Sequence, residues 1–245
     1  MIKAARVILL LSFTLTINAS FAQPSECKTL LQDYVEKMGR FKKPPEQNIF
    51  KLSFNQEIHY KPRSKKENLV VNGDLRISKS KSFFQSNYMS LYRDEKNGIM
   101  VIPYARRIVI ENGGKLDINK NGFNEMAAFQ DSLIRFGEVT NCQKYIDKSV
   151  SYYKINLKPS ENVQDQLHVT EIKFIYNIDK QVMDKVVIYY DQQSEMDFIA
   201  VTYLILDFNS KEKITESAYQ MVYSDKNKLK NEFKGFEIIN NRTDN

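Results

Sequence analysis

The chain has 245 residues, with 36 Lys and Arg against 30 Asp and Glu and a formal net charge of +6. That length suits a single domain able to bury a core without a metal or several disulfides. The charge excess is too small to mark a nucleic-acid partner, and its distribution is more informative than its sum: residues 58–110 hold 11 basic and 4 acidic side chains, residues 161–225 hold 5 and 12.

At the start, Lys3 and Arg6 precede an apolar run from Val7 to Leu11 that continues to Ile17, and Ser20-Phe21-Ala22 supplies a small-x-small cleavage site. Residues 1–22 therefore read as a signal peptide and 23–245 as one soluble mature domain, working in the periplasm or outside the cell. Losing Lys3 and Arg6 takes the net charge from +6 to +4. No later apolar run approaches the roughly 20 residues that span a bilayer. Two cysteines remain, Cys27 and Cys142; an even number in an oxidising compartment permits one disulfide, the alternative being two buried free thiols. Pro24-Ser25-Glu26 before Cys27 is not the small, apolar context of a lipidation signal.

After Ser25, a candidate cap, Cys27, Leu30, Leu31, Tyr34, Val35, Met38 and Phe41 recur at three- and four-residue steps and predict a helix, ended by Pro44-Pro45. The period then becomes two: Phe50, Leu52, Phe54, Ile58 and Tyr60 alternate with Lys51, Ser53, Asn55, Glu57 and His59. Leu69–Ile77, Phe84–Tyr92, Ile99–Pro103 and Ile108–Ile110 continue as strands, with a hairpin at Asp94-Glu95-Lys96-Asn97-Gly98. Helical spacing returns between Phe123 and Phe136. Strands are then expected at Val150–Leu157, His168–Ile178, Val182–Tyr190, Phe198–Phe208, Ala218–Tyr223 and Phe236–Ile239. Phe198–Phe208 is apolar at nearly every position, which predicts a central strand or one covered on both faces. The order fits a mainly β fold with some α, a curved antiparallel sheet of about ten strands covered by the N-terminal helix and a short central helical segment.

Catalytic and metal motifs find little support. His59 falls on the wet side of its strand and His168 at a strand end, neither with a metal-ligand spacing, and no nucleophile elbow or glycine-rich phosphate loop occurs. The expectation is a protein that is not an enzyme and takes no cofactor. Fourteen tyrosines and no tryptophan suit half-buried sheet positions.

Three segments carry a family resemblance. The helix Leu30-Leu31-Gln32-Asp33-Tyr34-Val35-Glu36-Lys37-Met38, the strand Leu52-Ser53-Phe54-Asn55-Gln56-Glu57-Ile58 with its Phe-x-Gln-x-aliphatic pattern, and Gly73-Asp74-Leu75-Arg76-Ile77-Ser78-Lys79 followed by Phe83 resemble the periplasmic lipoprotein carriers of the LolA/LolB type. The resemblance spans residues 28 to about 105 and implies an open, unclosed β-barrel that shields acyl chains or a lipidated protein between membranes. It implies that Lys79 stands where the carriers place a lid-anchoring arginine, and Phe83 where they place a lining aromatic. Ser80 departs from the family's proline. With Phe50, Phe54, Ile58, Leu75, Ile77, Phe174, Tyr176 and Ile188, these residues form the expected inner wall; the same residues would also suit the filled core of a closed sandwich. The rival functional reading is an adaptor of an envelope complex, with edge strands and the basic segment Lys61–Lys66 as its surface for partner proteins; the basic half at 58–110 could also steer the domain toward an anionic membrane surface.

Overall fold

A computed structural model describes residues 24–39, 47–114, 134–224 and 228–242. The expected signal peptide, Phe41, Pro44-Pro45 and most of the Phe123–Phe136 segment lie outside these residues; of the last, residues 134–136 are helical.

The strands are β1 (Ile49–Tyr60), β2 (Leu69–Ile77), β3 (Ser82–Ser86), β4 (Ser90–Arg93), β5 (Asn97–Ile102), β6 (Arg107–Asn112), β7 (Glu138–Asp147), β8 (Val150–Lys158), β9 (Val169–Asn177), β10 (Val182–Tyr190), β11 (Met196–Ser210) and β12 (Glu237–Asn240). They form one sheet in the order β12-β6-β5-β4-β3-β2-β1-β11-β10-β9-β8-β7, open between β12 and β7. Two hairpin meanders, β1–β6 and β7–β11, meet where β1 pairs antiparallel with β11, and β12 adds a parallel edge on β6. The open, helix-covered barrel expected above is therefore the fold, with twelve strands.

Helix α1 (Pro24–Gly39) lays Cys27, Leu31, Tyr34 and Met38 against one face of β8–β10, where Tyr153, Ile155, Leu157, Ile172 and Phe174 are buried beneath it. The helix periodicity predicted this stripe. Cys27 and Cys142 are joined by a disulfide that ties the start of α1 to β7, and Tyr153 donates to Glu26 at 2.5 Å beside it. The hydrogen bond to Glu26, then burial, push the Tyr153 phenol up to about 12.

The other meander is covered on the opposite face. Successive strand residues alternate sides, so Ile49, Phe83, Tyr92, Ile99, Val101, Ile108 and Ile110 share the face away from Phe50 and pack under Ile214, Ala218 and Val222. The latter two belong to a short helix, α3 (Ala218–Val222), not the strand expected at Ala218–Tyr223. Ser217 and Gln220 form a reciprocal capping box at its start, and the buried Asp94 carboxylate accepts from the Ala218 N–H at 2.7 Å while its other oxygen holds the turn at Lys96 and Asn97. Lys81 donates to the carbonyls of Ile214, Thr215 and Glu216. A second unexpected helix, α2 (Glu161–Leu167), is closed by His168 in the left-handed conformation at φ 58°.

The predicted contact segment Lys61–Lys66 is exposed apart from Lys61 and part-covered Ser64, and its cations reach the neighbouring β10–β11 connection. Lys61 is only 8% exposed and donates to the carbonyls of Asp191, Ser194 and Met196; Arg63 donates to Gln192 and Ser194, and Lys66 pairs with Glu195. These cations hold the β10–β11 connection against the β1–β2 loop.

Candidate functional site

The two meanders leave a cavity of about 240 Å³ on the face that carries α1, at their junction. Its wall is built from alternate residues of four strands: Leu52, Phe54 and Gln56 of β1, Ile199, Val201 and Tyr203 of β11, Val186 and Ile188 of β10, and Ile172 and Phe174 of β9. Tyr34 and Met38 of α1, with Ile134, form the roof. Register explains the convergence. Phe54 pairs with Tyr203, Gln56 with Val201, Val186 with Val201 and Phe174, and Ile188 with Ile199 and Ile172, which puts all of them on one side of the sheet. Under α1 the β9 residues are buried, whereas Phe54, Val186, Ile188, Ile199, Val201 and Tyr203 are only half covered. The helix roofs part of the wall and leaves the rest facing the hollow.

No side chain lining the cavity carries a charge at neutral pH. Its polar groups are the Gln56 amide and two phenols, with the Tyr34 hydroxyl donating to that of Tyr203 at 3.3 Å. Burial, then the neighbouring phenol, hold Tyr34 well above the usual tyrosine range, and burial raises Tyr203 as well. Because both folded-state values are raised, the stability these groups contribute is fully present below the ordinary tyrosine value of about 10 and is lost as pH rises above it. Denaturation midpoints should stay level from about pH 7 to 9 and fall beyond about pH 10. Tyr34→Phe should flatten part of that fall; a chemical-denaturation series against pH reads both. Charged groups gather outside, in a shallower hollow of about 450 Å³ beyond Ile134 that Gln32, Glu36 and Arg135 border.

Of the residues expected on the inner wall, Phe54, Phe174 and Ile188 line this cavity. Phe50, Leu75 and Ile77 form a buried cluster on the same face, against which Phe54 packs. Tyr176 is buried under α1, and Ile58 lies further along β1, half buried and opposite Ile199. Phe83 is on the other face, in the core beneath α3; its neighbour Phe84 takes the side of Leu75, with which it pairs. An aromatic pair in adjacent positions always sends one ring to each side, and only register decides which. Lys79 is exposed in the β2–β3 turn, and Lys81 beside it grips the segment 214–216 that covers the face away from the cavity. The histidines stand elsewhere: His59 stacks on Phe198 outside the barrel, and His168 lies 3.2 Å from Asp191. Among the described residues no group of three His, Cys, Asp or Glu side chains could hold a metal ion, and no helix is long and apolar enough to cross a membrane.

Of the strand residues in the wall, sequence reasoning missed Leu52, Gln56, Ile172, Val186, Ile199, Val201 and Tyr203. Strand β11 reads as apolar throughout because of an irregularity: Phe54 pairs with Tyr203 but Ser53 with Ile205, so Leu204 is an extra residue that breaks the alternation. The strand is central but not covered on both faces, since Leu204 is 66% and Ile205 39% exposed.

The sequence matches no family model and no curated protein. The structure is similar to several solved ones at low identity. The Mycobacterium tuberculosis lipoprotein LppX matches at 12% identity and a TM-score of 0.43, over 76% of this chain and 100% of that one. A putative outer membrane lipoprotein-sorting protein domain from Vibrio parahaemolyticus matches at 8% identity and 0.30, over 75% and 95%. A LolA superfamily protein from Nitrosomonas europaea matches at 10% identity and 0.29, over 75% and 94%.

Proposed function

We propose that this chain is a noncatalytic, extracytoplasmic carrier that shelters an acyl chain, of a lipid or a lipidated protein, in the cavity at the meander junction. The observation that carries the reading is the uncharged wall of β1, β10 and β11, whose large apolar side chains are left half covered around a hollow. Such a surface is costly to leave against water, and an acyl chain covers it without needing directional contacts. At roughly 30 Å³ for each small group, the cavity holds about eight methylenes, which would contribute about 6 kcal/mol. The leader-like residues 1–22 support an export destination, where such cargo is available.

The test is native mass spectrometry of the mature protein, purified from an extracytoplasmic extract without detergent, beside Phe54→Glu. Wild type should carry a lipid adduct. The variant should purify bare, with affinity for an apolar fluorophore lowered by about a hundredfold, because a carboxylate in this wall has no partner. Wild type that is bare and takes up no fluorophore would remove the carrier reading.

A further inference from the structure

The alternation of β1 places an apolar residue at every second position from Phe50 to Tyr60 except one, Gln56. Its side chain lies on the cavity face, between Phe54 and Ile58 along the strand and opposite Val71 and Val201 on its neighbours. Other amides of this sheet are engaged: Asn55 with Asn72 at 2.9 Å and Gln85 with the Tyr92 hydroxyl at 2.8 Å, both on the far face. The Gln56 amide is half buried and has no hydrogen-bond partner among the described residues.

We propose that Gln56 is the specificity determinant of the cavity, donating its amide N–H to the carbonyl of an acyl ester or acyl amide, so that neutral acyl derivatives are taken in preference to free fatty acids. The inference rests on the carrier reading and names the chemistry of its cargo. A primary amide offers two donors and one acceptor and no charge. A bound ester or amide carbonyl needs one such donor. A carboxylate would shed its water against a lining that contains no cation, which penalises the ionised headgroup far more than the neutral one. The Tyr34 hydroxyl is spent on Tyr203, whose own O–H is a single donor; the Gln56 amide, with two N–H donors and a carbonyl, is the lining group with the most to offer what enters. A polar side chain that would otherwise weaken an apolar wall then acts as the element that selects among chains of equal length.

The test is displacement of 1-aminoanthracene, an uncharged apolar fluorophore, from the mature disulfide-bonded protein at pH 7.5. The competitors are 1-palmitoylglycerol, an N-palmitoylated peptide and palmitate. In wild type the ester or the amide should displace the fluorophore about tenfold better than palmitate, and the better of the two tells a glycerolipid source from an acylated polypeptide. Gln56→Leu, its own affinity for 1-aminoanthracene measured first and used to normalise the competition, should bring the three competitors to within about twofold of one another. Gln56→Met, of about the same length and uncharged but without N–H donors, should lose the preference as well. Equal displacement in wild type, or a preference unchanged in Gln56→Leu, overturns the role of Gln56 while leaving the carrier reading in place. Failure of 1-aminoanthracene to bind wild type removes both.

Discussion

Reducing the Cys27–Cys142 bond should lower the melting temperature by roughly 10–15 °C, the largest stability effect expected of any single bond in this protein. The bond joins residues 115 apart in sequence, and closing a loop of that length restrains the unfolded chain by about 4–5 kcal/mol on the chain-entropy model. Its place in the fold adds to the effect. Cys27 is fully buried in the first turn of α1, and Cys142 is the one buried residue of the edge strand β7. Without the link, the helix that roofs the cavity is held at that end by the Glu26–Tyr153 hydrogen bond and by packing. Cys27→Ala with Cys142→Ala should reproduce the reduced protein. With no tryptophan in the chain, tyrosine near-ultraviolet circular dichroism is the convenient readout. A melting temperature insensitive to reductant would mean that the two sulfurs are not joined in solution.

Gly73→Ala should weaken acyl binding by about tenfold or more while costing only about 1–2 kcal/mol of stability. The ring of Phe54 lies over Gly73 on the adjacent strand, and a Cβ at position 73 would sit 2.3 Å from its Cζ and 2.4 Å from its Cε1. Those are the far atoms of a side chain that can turn, so the backbone need not move. The ring would turn off β2, and the open side is the cavity it already borders. A drop of at least about tenfold in fluorophore affinity is expected. The double variant Gly73→Ala with Phe54→Ala should recover most of it, because the second change removes the ring that the first displaces. Additive losses in that pair would show that Gly73 acts on binding by some route other than Phe54.

How far the sequence disclosed this arrangement depended on the kind of signal each residue gives. Alternation in β1 and the three-and-four spacing of α1 are periodic, and both elements appeared where expected. The edge strand β7 escaped notice because only Cys142 is buried along it, so no alternation exists to read. The segment Ala218–Val222 is as apolar as a short strand; the Ser217-x-x-Gln220 capping box was the available sign that it starts a helix. Choosing Phe83 over Phe84 required a register that no local pattern contains. The disulfide could be stated only as an option, since spacing in sequence says nothing of distance in space. Gln56 was legible in principle: a polar residue in phase with the apolar side of a strand is either a flaw or a function.

The junction of β1 with β11 also fixes what the chain must endure before it is folded. Each meander can close by short hairpins as soon as its strands exist, but Leu52 has to wait for Leu206, in the last part of the chain, to pair along its second edge. During N-to-C emergence, β1 therefore spends most of the time of synthesis with one row of backbone groups open and with Phe50, Leu52, Phe54 and Ile58 uncovered. A strand of that composition is a ready template for another copy of itself. The late, long-range pairing also predicts slow folding for the domain's size. Yield in the cell should consequently track how well β1 is escorted before β11 arrives.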